Sequence, residues 1–523
     1  MNDVVPPGRF VENLFEFRPP PGLSQKESRK NVVIVGAGPI GLAAALELAN
    51  HQVHSVVLDS RAAPSEGSKA ICWSKRSLEI FDRIGIGDRA VEKGVTWQVG
   101  RTYHRDREIF NFNLLSDTGH KRPAFINLQQ YYVEQFLTER ATENSFVDLR
   151  FANRVVGIEE DPHSVTIEIE TQSGSYRLRT DWLLACDGVR SSIRSMKGLE
   201  FEGEVFEERF LITDIEMRAE FPPERRFWFE PTFHNGQSAL LHKQPDNIYR
   251  IDLQLGAGAD PAKERRPDEV KRRIERVVGT SDFRIEWVSV YTFQCRRLAG
   301  FVHGRVLFAG DSAHVVSPFG ARGGNGGLQD VDSLCWRLAA IVHGRAGPEL
   351  MRAYDRERVF AADENIANST RTTKFMTPAD GWERIMRDQL LRLATHSEFA
   401  RAWVNSGRLS VPCIYESAGA DDAGLPAQSR PGAVAPDAPQ GKGWLIDQLG
   451  VQPAVMGIGC EPPAIPGARA FRIEVNESVR SRYLGARDRA VYLVRPDQVI
   501  AARWAKHLPA GIEAEHSAIW KEP

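Results

Sequence analysis

Three glycines spaced GxGxxG, Gly36, Gly38 and Gly41 in VVIVGAGPIGLAAALEL, stand directly after a β-branched run and directly before an alanine- and leucine-rich segment. Between a strand and a helix this spacing can hold a pyrophosphate. Gly36 permits the tight turn, Gly38 lets the backbone approach the phosphates, and Gly41 allows close helix–strand packing. The helix N-terminus offers its free N–H groups to the phosphates, and Pro39 and Ile40 in its first turn are expected at the cofactor as well. Asp59, after the apolar run Ser55 to Leu58, is placed to accept from adenosine ribose hydroxyls, with Ser60 beside it. A glycine turn without a ligand is the alternative, and the strand, helix and acid in register argue against it. NAD and FAD remain open on this motif alone.

A second stretch, GRVLFAGDSAHVVSPFGARGGNGGLQDVDSLCWRL, points to FAD. Its buried strand ends at Gly310 and Asp311, and Asp311 can accept from ribitol hydroxyls. The loop from Pro318 to Gly327, with Gly323, Gly324 and Asn325, lets backbone N–H groups approach the isoalloxazine edge. The following helix points its positive end at the N1–C2=O locus, which stabilises an anionic reduced flavin.

The elements that must position these residues follow from the rest of the chain. A length of 523 residues makes two or three domains the expectation. A net charge of -2 with no long basic run gives no electrostatic reason for a nucleic acid or an anionic membrane as partner. Six scattered cysteines without a CxxC pair or clustered histidines give no metal site, and reduced thiols fit a cytoplasmic protein. The apolar segment Val32 to Ala49 is broken by glycines, Pro39 and Glu47, so strand, turn and helix explain it better than a membrane span. Residues 1–30 read as a polar tail, 31–206 as the first part of a βαβ nucleotide domain, and 207–298 as an inserted antiparallel sheet with alternating strands. The nucleotide domain resumes over 299–408, a linker or irregular arm covers 409–443, and a last unit covers 444–523.

The chain resembles the class A flavoprotein aromatic hydroxylases, the group of para-hydroxybenzoate and phenol hydroxylases. Besides GxGxxG, the DG motif of that family appears as Asp187, Gly188, Ser191 and Arg194 in LLACDGVRSSIR. Its GD motif and PxGxxGxNxG loop appear as Gly310, Asp311, Pro318, Gly320, Gly323, Asn325 and Gly327. By context Lys69 stands where the family has a FAD-contacting arginine, and Gln130 aligns with a FAD-contacting glutamine, with Gln129 as the competing assignment. AVYLVRPDQVIAARW resembles the thioredoxin-like domain of phenol hydroxylases and of bacterial 3-(3-hydroxyphenyl)propionate hydroxylase-like members. Cys460 there lacks a redox partner. The implied fold is α/β: a Rossmann-like FAD-binding domain of the glutathione-reductase type, an inserted antiparallel-sheet substrate domain and a thioredoxin-like C-terminal domain.

The resemblance implies a monooxygenase cycle in which NADH or NADPH reduces FAD, O₂ adds to give a C4a-hydroperoxyflavin, and a phenolic ring is hydroxylated. It also implies a small aromatic substrate and a homodimer. No second GxGxxG exists for NAD(P)H, so Arg190 and Arg194 near the DG motif are its candidates, against the alternative of surface arginines. Substrate should lie between flavin and sheet, where Trp228, His234, Gln237, His242 and Arg250 are the polar candidates beside Pro318. Arg322 meets either an anionic substrate or solvent. An oxidase or reductase on the same fold is the alternative function; a halogenase is another, although none of the eleven tryptophans has a partner two positions away as WxWxIP requires.

Overall fold

The computed structural model describes residues 15, 17–63, 68–234, 236–378, 381–404, 409–506 and 509–521. Half of the expected tail, residues 1–14 and 16, and the boundary at Arg408 lie outside those residues.

The nucleotide half is built on parallel strands in the order Val306–Phe308, Gly174–Ala185, Lys30–Val35, Ser55–Leu58 and Val147–Arg150, with Val302–His303 antiparallel at the edge. Val32, Val33 and Ile34 are wholly buried in the core shared by this sheet and its packed helices, which is why this strand reads as a continuous apolar run. Helix Pro39–Asn50 begins at Gly38 with proline in its first turn and shares one core with the helix Gly323–Val342. That second helix is buried along nearly its whole length. The two glycine motifs, far apart in sequence, therefore open onto one place.

An eight-stranded sheet forms the second layer, in the order His314–Val315, Arg284–Arg297, Glu202–Glu216, Ile248–Gln254, Ala239–Lys243, Arg225–Phe229, Val99–His104 and Arg107–Asn113. It is antiparallel except where Arg225–Phe229 runs parallel to Val99–His104. The sheet thus draws on more of the chain than 207–298: the hairpin 99–113 comes from the first nucleotide segment and completes one edge, a pairing that local sequence does not announce. Helix Pro267–Val278 covers one face through Val270 and Ile274.

The C-terminal sheet has the order Arg469–Ile473, Ala454–Ile458, Ala490–Val494 and Ile500–Trp504, with only the first pair parallel. Residues 409–443 are irregular, yet Leu425, Ala435 and Ala438 join the core of this unit. Among the described residues no helix is long and apolar enough to cross a membrane.

Candidate functional site

At the first glycine turn the backbone needs what only glycine supplies. Gly36 has φ +105° and a Cβ there would lie 2.4 Å from the Cys186 carbonyl oxygen; at Gly41 it would lie 1.8 Å from the Gly36 carbonyl oxygen. Gly38 differs, since a Cβ there would meet nothing within 4 Å. Its outer side faces a cavity of about 940 Å³, whose wall also includes Gly36, Pro39, Ile40, Asp59 and Ser60. Asp59 Oδ2 accepts from Ala37 N at 2.7 Å, and Oδ1 accepts from Arg61 N at 2.8 Å and Arg61 Nε at 3.1 Å. A ribose would share this carboxylate with Arg61.

The same cavity is walled farther along by Asp187, Gly188, Asp311, Pro318, Gly323, Gly324 and Asn325. Gly310 is held from behind: its N–H donates to Asp330 Oδ2 at 2.9 Å, and Asp330 is buried against His314 at 2.7 Å and Arg358 at 2.7 Å. Asp311, next along, turns its carboxylate to the cavity, where desolvation pushes its pKa up while His314 and Lys69 oppose the rise. Asn325 accepts from Ser74 N at 2.9 Å and donates to the Cys72 and Ala321 carbonyls at 2.8 and 2.6 Å. It clamps the strand Cys72–Ser74 onto the glycine loop. Asp187 Oδ2 accepts from Ile193 N at 3.1 Å, whereas its Oδ1 is buried without a partner in the chain.

These features fit FAD. An open approach over Gly38, an acid at each end, and an orphaned carboxylate oxygen in the wall suit a long ligand with phosphates and several hydroxyls. Lys69 is exposed at the wall, and Gln130 lines it while accepting from Ala70 N at 3.1 Å. Gln129 is buried outside the wall, bonded to the Pro245 carbonyl at 3.4 Å. Arg190 is exposed at the cavity, but Arg194 is outside it, donating to the Ser312 and Val189 carbonyls at 3.2 and 2.6 Å. Its guanidinium clips two turns together.

The cavity continues to the eight-stranded sheet, where the twofold alternation of strands sorts the substrate candidates. Ile212, Asp252, Leu240 and Phe227 are opposed across four strands; the cavity is lined by the first three together with Arg225, His242 and Arg250. Trp228 has the other parity and packs on the far face with Tyr249 and Phe233, its ring 5.1 Å from Tyr103. His234 is also away from the cavity, with Nε2 2.6 Å from the Gln254 carbonyl and a pKa lowered by burial to about 4. Gln237 does not line the cavity either. These three are corrections, and two have a parity or turn reason visible in hindsight: the run RRFWF puts Arg225 and Phe227 inward if Trp228 is outward.

His242 and Arg250 do reach the cavity. Arg250 is committed to Asp214, with Nη2 2.7 Å from Oδ2 and Nε 2.8 Å from Oδ1, and to the Ser68 and Lys69 carbonyls. It ties the sheet to the segment at Ser68 and Lys69, the latter on the cavity wall. His242 is kept neutral by burial first and by Arg225 and Arg250 next. Arg322 is 2 % exposed and donates to Asn365 Oδ1 at 2.8 Å, so solvent is not its partner. Sequence reasoning missed Arg225 and Asp252, Trp97 from the strand Val95–Trp97, and Leu409 from the arm. The arm contributes because Ser410 N donates to the Gly320 carbonyl at 2.9 Å. One trio of described residues outside the cavity, His104, Glu230 and Asp388, brings ligand atoms within 4.8 Å of one another, but Arg387 already holds both carboxylates.

The FAD_binding_3 family, described as "FAD binding domain", matches residues 29–369. A 3-(3-hydroxy-phenyl)propionate/3-hydroxycinnamic acid hydroxylase of Mycobacterium sp. (strain JLS) is 27% identical over 475 residues, 89% of this chain and 82% of that protein. Para-nitrophenol 4-monooxygenase of Pseudomonas sp. (strain WBC-3) is 28% identical over 386 residues, 70% of this chain and 92% of that protein. In fold, the flavin-dependent monooxygenase PieE, solved in complex with FAD and substrate, is similar with a TM-score of 0.77 at 21% identity, covering 94% of this chain and all of that one. With the motifs gathered around one cavity and this match over most of the chain, the protein belongs to the FAD-dependent aromatic hydroxylases, flavoprotein monooxygenases with a FAD-binding domain of this family.

Proposed function

We propose that the protein hydroxylates a phenolic aromatic compound, consuming NADH or NADPH and O₂. One observation carries this reading: the cavity that begins at the pyrophosphate turn runs without interruption to a sheet wall of apolar side chains with a few polar groups, Arg225, His242 and Asp252. Bound FAD, reduced by NAD(P)H, supplies the oxygen chemistry. The chain's part is to orient the ring on Ile212, Leu240 and Trp97, to exclude water, and to favour the electron-rich phenolate. The two relatives described above, a hydroxylase of a hydroxyphenyl acid and a nitrophenol monooxygenase, support a phenol as substrate.

Gly36, Gly38, Asp59, Lys69, Gln130, Asp187, Asp311 and the Pro318–Asn325 loop are assigned to FAD on their shared wall. Arg190, exposed at the mouth, is assigned to the nicotinamide nucleotide. We read the C-terminal unit as thioredoxin-like without redox activity, because its strand order suits that fold and Cys460 stands alone. Six free cysteines suit a reducing cytoplasm, and exposed Trp382, Ile385, Phe399 and Trp403 suit a homodimer contact.

The test is a panel of phenols offered to FAD-loaded protein, with stimulated NAD(P)H oxidation checked against oxygenated product by mass spectrometry. Product in step with NAD(P)H is expected. Stoichiometric H₂O₂ with every phenol would turn the reading to an oxidase, and protein that takes up no flavin would sink it.

A further inference from the structure

The sheet wall of the cavity holds two charged side chains that the fold leaves unsatisfied. Asp252 lies between Ile212 and Leu240 on the neighbouring strands and is 8% exposed. Among the described residues no donor reaches its carboxylate, and its Oδ1 is fully enclosed. Arg225, on the next strand but one, has no carboxylate within ion-pair distance among the described residues; its Nη2 donates to the Phe319 carbonyl at 3.0 Å and its Nε is buried without a partner. Arg250, by contrast, is neutralised by Asp214. A buried acid and a half-buried cation with an enclosed, unpartnered Nε that feel each other's charge without touching are costly unless a ligand completes them.

Resting on the phenol reading above, we propose that Asp252 accepts the hydroxyl proton of the bound phenol and Arg225 holds the resulting phenolate oxygen. The substrate O–H bond breaks, an O–H bond forms on the Asp252 carboxylate, and the electron pair stays on the ring oxygen, whence it activates the ring. The groups around Asp252 suit the task. Burial raises its pKa to about 6, Arg250 opposing, Asp214 adding and Arg225 opposing. His242, on the strand between, has its pKa held well below the usual imidazole value by burial and is the weaker base, and burial pushes the Cys72 thiol up to about 12, so it stays protonated and neither group carries charge. An acid near pH 6 is ionised at neutral pH and still a useful proton acceptor.

The experiment measures kcat/KM against pH for the wild-type holoprotein and the variants D252N, D252S and R225M. Retained FAD absorbance certifies that each variant is folded. Wild type should show a rising limb with a midpoint near the value for Asp252, and both Asp252 variants should lose it. At neutral pH D252N should slow an ordinary phenol about a hundred-fold, but slow a ring-fluorinated analogue already ionised at that pH by no more than about three-fold. R225M should weaken both. Equal losses on the two substrates, or a rising limb that survives in D252N, overturn the proposal while leaving the hydroxylase reading intact. Wild-type protein that turns over no phenol overturns both.

Discussion

Gly310 donates its backbone N–H to Asp330 Oδ2 at 2.9 Å, and this bond fixes the turn that aims Asp311 at the cavity. Asp330 is wholly buried on the helix after the glycine loop, with Arg358 at 2.7 Å and His314 at 2.7 Å. Burial alone would raise its pKa, but the charges of His314 and Arg358 outweigh it and hold the carboxyl below its usual range. The change D330N leaves Arg358 buried without a counter-charge and should cost about 3 kcal/mol. FAD should also be lost on gel filtration. Because the folded pKa is depressed, the Asp330 contribution is complete above about pH 4 and disappears as pH falls through the folded value. The gap in melting temperature between wild type and D330N should therefore close in acid.

The two glycines of the first turn should separate folding from binding. G36A places a Cβ at φ +105° and 2.4 Å from the Cys186 carbonyl oxygen, so it should destabilise the apoprotein by about 1–3 kcal/mol. G38A meets no protein atom within 4 Å and should leave apoprotein melting unchanged. It should nevertheless weaken FAD, because the methyl occupies the approach of the pyrophosphate. Thermal melts without flavin and fluorescence titration with FAD check both outcomes.

Strand parity gives a third expectation. W228A and H234A alter the sheet face turned from the cavity, so substrate KM should stay within about two-fold while stability falls by about 2 kcal/mol. H242A, on the cavity side, should change KM with little change in melting. Steady-state kinetics beside melts of the same three preparations decide it.

What could be read in the sequence follows the same division between local and distant causes. The pyrophosphate turn, Asp59, Asp187 and the Gly310–Asp311 turn lie on the cavity wall or hold it from behind because each is encoded by a few adjacent residues in a strand–turn context. Among the sheet residues expected at the substrate only His242 and Arg250 line the cavity, beside the loop residues Pro318 and Arg322, since a strand sequence gives alternation but not which parity is buried. Arg225 and Asp252 become visible only when Leu240, Asp252 and Ile212 are put in register across strands. The hairpin 99–113 joins the edge of the sheet by pairing with Arg225–Phe229, and Leu409 reaches the cavity wall in an apolar cluster with Trp97 and Phe125; both contacts bridge more than a hundred residues, for which no local signal exists.

The turn at Asp497 carries the last prediction. Its carboxylate is buried against Arg495 at 2.5 Å and accepts from Trp336 Nε1 at 3.1 Å, while its carbonyl accepts from Arg76 Nη2 at 2.7 Å. Gln498 Oε1 takes a second Arg76 bond at 2.6 Å, and Arg76 also pairs with Asp332 at 2.6 Å. The C-terminal unit is thereby fastened to the helix Lys75–Arg83, directly after the strand that Asn325 clamps to the flavin loop. Burial raises the Asp497 pKa, yet Arg495 and the other donors more than offset it and bring it to about 2. D497N removes one of the two carboxylates shared by Arg495 and Arg337, Glu357 being the other, so docking should weaken by about 1–2 kcal/mol. Trp336 emission should shift to the red as its indole meets water, and limited proteolysis should release a C-terminal fragment. If the dock supports the cavity wall, FAD affinity falls in the same variant although no FAD-lining residue has changed; unchanged affinity with a released C-terminal unit would show that the wall stands by itself.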